Sequence, residues 1–178
     1  MKKVLVISSS LRFRSNSEAL ADAFACGAAE AGHSVEKVSL QGRDIRFCKG
    51  CLACQRTRKC VIDDDMQFLM AKVHDADVLC FATPIYYYEM SGQLKTFLDR
   101  CNPLYVSDYH FRKVYLACSA TDTDDATPSR AVSGLQGWIS CFPEARFGGY
   151  VFGGGVTSVG EIGGHAALEE AYSLGQRV

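Results

Sequence analysis

The sequence has no apolar run approaching the roughly 20 residues of a helical membrane span. It also has no basic stripe, and its formal net charge is only −1 over 178 residues. These absences argue against a membrane protein and against nucleic acid as the main partner. Internal repeats and linkers are missing too, so residues 1–178 read as one domain carrying a cysteine-rich loop at 48–60. Neither G-x-G-x-x-G nor G-x-x-x-x-G-K-[ST] occurs, which makes a Rossmann dinucleotide site or a P-loop a poor match. No catalytic triad or pair of carboxylates stands out. His33, His74, His110 and His165 are scattered, and Asp63 to Asp65 read more simply as charges on a helix's first turn than as metal ligands.

The opening MKKVLVISSS starts like a secretory leader, but its apolar run stops at Ile7 and no cleavage pattern follows. It is better read as a first strand covered on both faces. With 48% hydrophobic and 22% charged residues, the chain has enough apolar material for an ample core.

Cysteine, by contrast, is abundant, with nine in all. Cys48, Cys51, Cys54 and Cys60 fall at C-x2-C-x2-C-x5-C spacing within thirteen residues. Three soft ligands stepped by three residues, with a fourth close behind, can converge on one compact centre. That spacing suits a [4Fe-4S] cube better than zinc, whose knuckles are usually farther apart. Lys49, Arg56, Arg58 and Lys59 would offset the negative charge of a thiolate-ligated cluster and lower the thiol pKa values. Zinc and unmetalled thiols remain the alternatives. Cys26, Cys80, Cys101, Cys118 and Cys141 lie in apolar or helical surroundings rather than at disulfide-framework spacings, which fits a reducing cytoplasm.

Along the chain, strand and helix alternate five times. Val4 to Ile7, Ser34 to Leu40, Asp77 to Pro84, Lys113 to Cys118 and Arg146 to Phe152 read as strands. Helices are expected from Asn16 to Ala31, with Ser15 and Glu18 as a capping box, and from Asp64 to Val73. Further helices are expected after a Ser91 cap, after Thr127 and Pro128 as N-cap and first residue, and from Ala166 to Leu174. Trp138 reads as core or interface. The alternation predicts an α/β fold: a five-stranded parallel sheet with helices on both faces, right-handed crossovers, and ligands gathered at the carboxyl edge.

The first of those edge loops carries Ser9, Ser10, Arg12, Ser15, Asn16 and Ser17 into a helix N-terminus. There the free N–H groups and the helix dipole favour an anion, and Arg12 can bind two phosphate oxygens at once. IYYYEM, after the third strand, adds an apolar and aromatic wall at the same edge. For any one of the three tyrosines, surface or subunit packing is an equal alternative.

The run SSLRFRSNS, Ser9 to Ser17, resembles the G-S-x-R-x-x-S-N-T loop of the flavodoxin-like NAD(P)H-dependent FMN reductase family. Ser9 replaces the leading glycine and Ser17 the closing threonine. TPIYYYEMSGQLKTFLDR, Thr83 to Arg100, resembles that family's flavin-ring loop and following helix, and GEIGGHAALEEAYSLGQRV resembles its usual end. The cysteine spacing and the run CVIDDDM are similar to the iron–sulfur flavoproteins within the family. The resemblance implies a flavodoxin-like doubly wound sandwich with strand order 2-1-3-4-5, and implies that Ser10, Arg12, Ser15, Asn16 and Ser17 bind the FMN phosphate. Pro84, Ile85, Tyr86, Tyr87 and Tyr88 would flank the isoalloxazine, with Ser119, Ala120 and Thr121 on a third side.

The expected protein is therefore an FMN oxidoreductase, a homodimer or homotetramer. It would take electrons from a transient NAD(P)H donor or a redox protein. It would pass them to a small acceptor or, through a cluster, to a ferredoxin-like partner. An FMN-only reductase of quinones, azo compounds, nitro compounds or free flavin, a non-catalytic electron carrier, and a thiol redox or metal sensor are the alternatives.

Overall fold

The computed structural model describes all 178 residues. Its strands are β1 (Lys3–Ser8), β2 (Ser34–Ser39), β3 (Val78–Tyr86), β4 (Glu89–Met90), β5 (Lys113–Ser119) and β6 (Arg146–Gly153). Its helices are α1 (Asn16–Glu30), α2 (Ala53–Thr57), α3 (Met66–Asp75), α4 (Gly92–Arg100), α5 (Ser129–Ile139) and α6 (Ala166–Gln176), with a 3₁₀ turn at Asn102–Val106. None of the helices is long and apolar enough to cross a membrane.

The parallel sheet runs β2-β1-β3-β5-β6, and β4 pairs antiparallel with β3 beyond it. Apart from that two-residue addition, this is the order expected of the five long strands. The chain winds one way from β1 to β2 and the other way from β1 towards β3, so β1 and β3 flank the switch point at which such sheets bind ligands.

Side-chain alternation along the strands builds two cores, one on each face. Leu5, Ile7, Leu79, Phe81, Val114 and Leu116 point towards α3, α4 and α5, where Leu69, Val73, Leu94, Phe97 and Leu135 meet them. Val4, Val6, Val78, Cys80, Tyr115 and Ala117 point towards α1 and α6, against Leu20, Phe24, Ala28 and Ala171. Trp138 stacks on Phe111 at 5.7 Å between ring centroids and meets Phe81 edge-on, so it belongs to the first core.

Several boundaries differ from expectation, each for a local reason. The third strand continues past Pro84 to Tyr86, because Ile85 and Tyr86 turn back on Met90 and Glu89 in a hairpin. Helix α3 starts at Met66 rather than Asp64, because the Asp64 carboxylate accepts from Arg100 and the Arg46 N–H as well as from the Met66 N–H, which holds Asp64 in the turn before the helix. Thr127 does not cap α5. Its hydroxyl is buried without a partner, and the helix begins after Pro128. At α1 only half of the capping box forms. Ser15 Oγ accepts from the Glu18 N–H at 3.2 Å, while the Glu18 carboxylate reaches across to Lys37 on β2 at 3.4 Å. Helix α2 and the 3₁₀ turn were not expected from periodicity, since both are too short to show one.

Candidate active site at the carboxyl edge

The chain leaves β1 at Ser8 and crosses the sheet edge before α1 begins at Asn16. Ser9 is buried there. Its hydroxyl donates to the Ala82 carbonyl at 2.9 Å and shares a 3.0 Å hydrogen bond with Ser91 Oγ, tying the first loop to the end of β3 and the start of α4. Ser10 Oγ accepts from the Arg12 N–H at 3.2 Å, and Ser15 Oγ lies 3.4 Å from Ser17 Oγ. Ser15 takes the Glu18 N–H, while the N–H groups of Asn16 and Ser17 have no acceptor within the chain. Buried hydroxyls and free N–H groups thus face one point at the positive end of a 15-residue helix.

A single cleft gathers Ser10, Arg12, Ser15, Asn16 and Ser17 with Pro84, Ile85 and Tyr86 from β3 and Ser119, Ala120 and Thr121 from β5. These come from the carboxyl ends of three parallel strands, where the topology places ligands. Tyr87 and Tyr88 stand outside it. They form the tip of the β3–β4 hairpin with φ of +52° and +66°, the paired left-handed conformation of a two-residue primed turn. Tyr87 is 99% exposed, and the Tyr88 ring lies 6.0 Å from the Arg130 guanidinium on α5.

A fourth wall, Val156, Thr157 and Val159, was missed in the sequence, where GGG at 153–155 reads as a turn or flexible loop. Asn16 Nδ2 donates to the Ser158 carbonyl at 2.9 Å, and Asn16 Oδ1 accepts from the Ile162 N–H at 3.3 Å. The Arg12 guanidinium donates to the Thr157 carbonyl at 2.7 Å, and Thr157 Oγ1 donates to Thr121 Oγ1 at 2.9 Å. Glu161 accepts both the Thr157 and Ser158 N–H groups, which holds its carboxyl below the ordinary glutamate range. Arg12 and Asn16 therefore brace this wall as well as lining the cleft. The only sequence signal was the hydroxyl and glycine content of residues 153–164.

The cysteine loop forms a second cavity. Cys48, Cys51, Cys54 and Cys60 line one small cavity closed by Arg100, Asn102 and Pro103, and this cavity shares no lining residue with the cleft. Cys54 is buried, and its sulfur accepts from Asn102 Nδ2 at 3.0 Å. Gly50, Leu52 and Arg58 take left-handed φ values, which curl the loop around the cavity. The thiols converge, but no three are close enough together to ligate one ion as they stand.

Beneath the loop, Arg100 is fully buried and its guanidinium donates to Asp64 Oδ2 at 2.6 Å, to Asp64 Oδ1 at 2.9 Å and to the Arg46 carbonyl at 2.6 Å. Burial pushes the Asp64 carboxyl up, but the Arg100 bonds and the Arg46 and Met66 N–H groups outweigh it and leave it below the ordinary aspartate range. Remote from both sites, the Cys118 thiol is pushed up to about 12 by burial on β5, so it behaves as a small apolar side chain.

Comparison with known proteins agrees with this architecture. A family model described as NADPH-dependent FMN reductase matches residues 2–140. An iron-sulfur flavoprotein of Methanocaldococcus jannaschii is 28% identical over 190 aligned positions, covering 99% of this chain and 95% of that one. An iron-sulfur flavoprotein of Archaeoglobus fulgidus is 35% identical over 103 residues, covering 58% of this chain and 46% of that relative. Among solved structures, the NAD(P)H:quinone oxidoreductase from Methanothermobacter marburgensis superposes with a TM-score of 0.77 at 19% identity, covering 99% of this chain and 95% of that one. With a flavodoxin-like sheet, a serine-rich loop at its switch point and a family match over most of its length, the chain belongs to the NADPH-dependent FMN reductase family of FMN-dependent oxidoreductases.

Proposed function

We propose that the protein binds FMN in the cleft at the carboxyl edge, accepts reducing equivalents from NAD(P)H and delivers them to a small acceptor or, through an iron–sulfur cluster, to a redox partner. The observation that carries this reading is the convergence of the α1 N-terminal loop, Pro84–Tyr86 and Ser119–Thr121 on one cleft. The free N–H groups of Asn16 and Ser17, the Ser10, Ser15 and Ser17 hydroxyls and the Arg12 guanidinium suit a dianionic phosphate.

Bound FMN supplies the hydride-accepting ring, so the chain needs no acid–base pair of its own. The protein's part is to orient and shield: Pro84, Ile85 and Tyr86 form an apolar and aromatic wall, and Ser119 to Thr121 close the opposite side. Tyr87 and Tyr88, outside the cleft, suit a subunit face together with exposed Phe13 and Phe47, in keeping with a homodimer or homotetramer.

Cys48, Cys51, Cys54 and Cys60 are the ligand set for the cluster. The common cavity, the buried Arg100 charge and the relatives named as iron-sulfur flavoproteins support this. The second reading is an FMN-only reductase with free cysteines, which needs the cleft alone.

Anaerobic purification followed by flavin, iron and sulfide assays per chain decides between the two. One flavin with four irons and four sulfides supports the first. Flavin without iron leaves the reductase and removes the cluster, and a colourless protein that binds no added FMN overturns both. NAD(P)H oxidation with quinone or azo acceptors then separates an enzyme from a pure electron carrier.

A further inference from the structure

Arg100 is an unusual residue to find at 1% exposure, and its hydrogen bonds are incompletely used. One terminal nitrogen bonds both Asp64 and the Arg46 carbonyl, and the other bonds Asp64, but Nε–H is buried with no acceptor. A buried donor left in this way is costly unless something in the assembled site accepts it. Arg100 forms part of the wall of the cavity that the four cysteines line. Cys60 lines that same cavity. Asp64 comes four residues after Cys60, and Asn102, two residues after Arg100, holds the Cys54 sulfur at 3.0 Å. Asn102, just past the end of α4, thus donates to one cysteine of the loop, while the Arg100 Nε–H is left free on the wall of the cavity that Cys60 also lines.

We propose that Arg100, fixed by Asp64, is the positioning residue of the cysteine loop: it donates Nε–H to sulfur at Cys60 and supplies the buried positive charge that raises the reduction potential of a cluster held by Cys48, Cys51, Cys54 and Cys60. This rests on the cluster reading above. Hydrogen bonds to sulfur and nearby positive charge both favour the reduced, more negative cluster, so removing them shifts the potential downwards. Asp64 keeps the guanidinium in one orientation and takes up its other face. The forked geometry of arginine is required, because a lysine ammonium is a point charge that lacks the fork and the Nε–H.

The test is a dithionite titration of the purified protein followed by electron paramagnetic resonance, on wild type, Arg100→Lys and the charge-free double variant Asp64→Asn with Arg100→Gln. Flavin absorbance in each reports that the fold is kept. Exposed Lys95→Gln serves as the control for a generic change in charge. The expected result is a midpoint potential more negative than wild type in both variants, or partial loss of iron with FMN retained, and no change in Lys95→Gln. Iron content and midpoint potential equal to wild type in a folded Arg100→Lys protein would overturn the positioning role while leaving the cluster intact. A wild-type protein holding flavin but no iron or sulfide removes the cluster reading, and this inference with it.

Discussion

Tyr87 holds a left-handed φ of +52° with its side chain 99% exposed, so it has little packing to offset the conformational cost. Replacing it with glycine relieves about 1 kcal/mol of backbone strain. Tyr87→Gly should raise the melting temperature, and a lower one in a thermal scan would mean that Tyr87 is held by contacts with a second subunit. His74 offers a prediction in pH. Its ring donates to Asp75 at 2.8 Å and Asp108 at 3.2 Å, and the two carboxylates, Asp75 foremost, raise its pKa. A raised folded value means that the stabilisation is complete below the unfolded pKa of about 6.5 and is lost as pH rises through the folded value. The difference in melting temperature between wild type and His74→Asn should shrink from pH 6 to pH 9. A constant difference would show that the ring stabilises by packing alone.

Among the elements, the crossing of α1 and α6 rests on two glycines. A Cβ on Gly27 would sit 2.0 Å from the Tyr172 carbonyl oxygen, and one on Gly175 would sit 2.1 Å from the Phe24 carbonyl oxygen. Both obstacles are backbone, so neither can move without separating the helices. Gly175→Ala is expected to destabilise by about 3 kcal/mol through overpacking, read as a lower urea midpoint with an unchanged slope. Its opposite number, Gly137 on α5, meets nothing within 4 Å, so Gly137→Ala should stabilise slightly through helix propensity. The long elements were legible because their apolar spacing is local: Leu94, Phe97, Leu98 and Cys101 announce the inner face of α4, and all are buried. Where a boundary slipped, a long-range partner had intervened, as with Glu18 reaching Lys37 and Asp64 reaching Arg100.

For the whole molecule, ligand and fold should be linked. With free FMN at one hundred times its Kd, binding to the native state alone adds about 2.7 kcal/mol of stability. Arg12→Ala and Ser17→Ala should reduce that increment, the first partly by loosening Thr157. An unchanged melting temperature on adding FMN to the apoprotein would count against the cleft. The alternation of buried strands with helices and the serine-rich turn into α1 were determined by the sequence itself, because burial on both faces and a capped helix start are written in neighbouring residues, whereas the sheet order came from the resemblance of its motifs to a family. Only the tertiary structure decided which distant groups meet: Val156 to Val159 as the fourth wall, Tyr87 and Tyr88 outside the cleft, and Arg100 on the wall of the cysteine cavity. Those contacts join residues 36 to 146 positions apart, a separation at which no periodicity carries a signal.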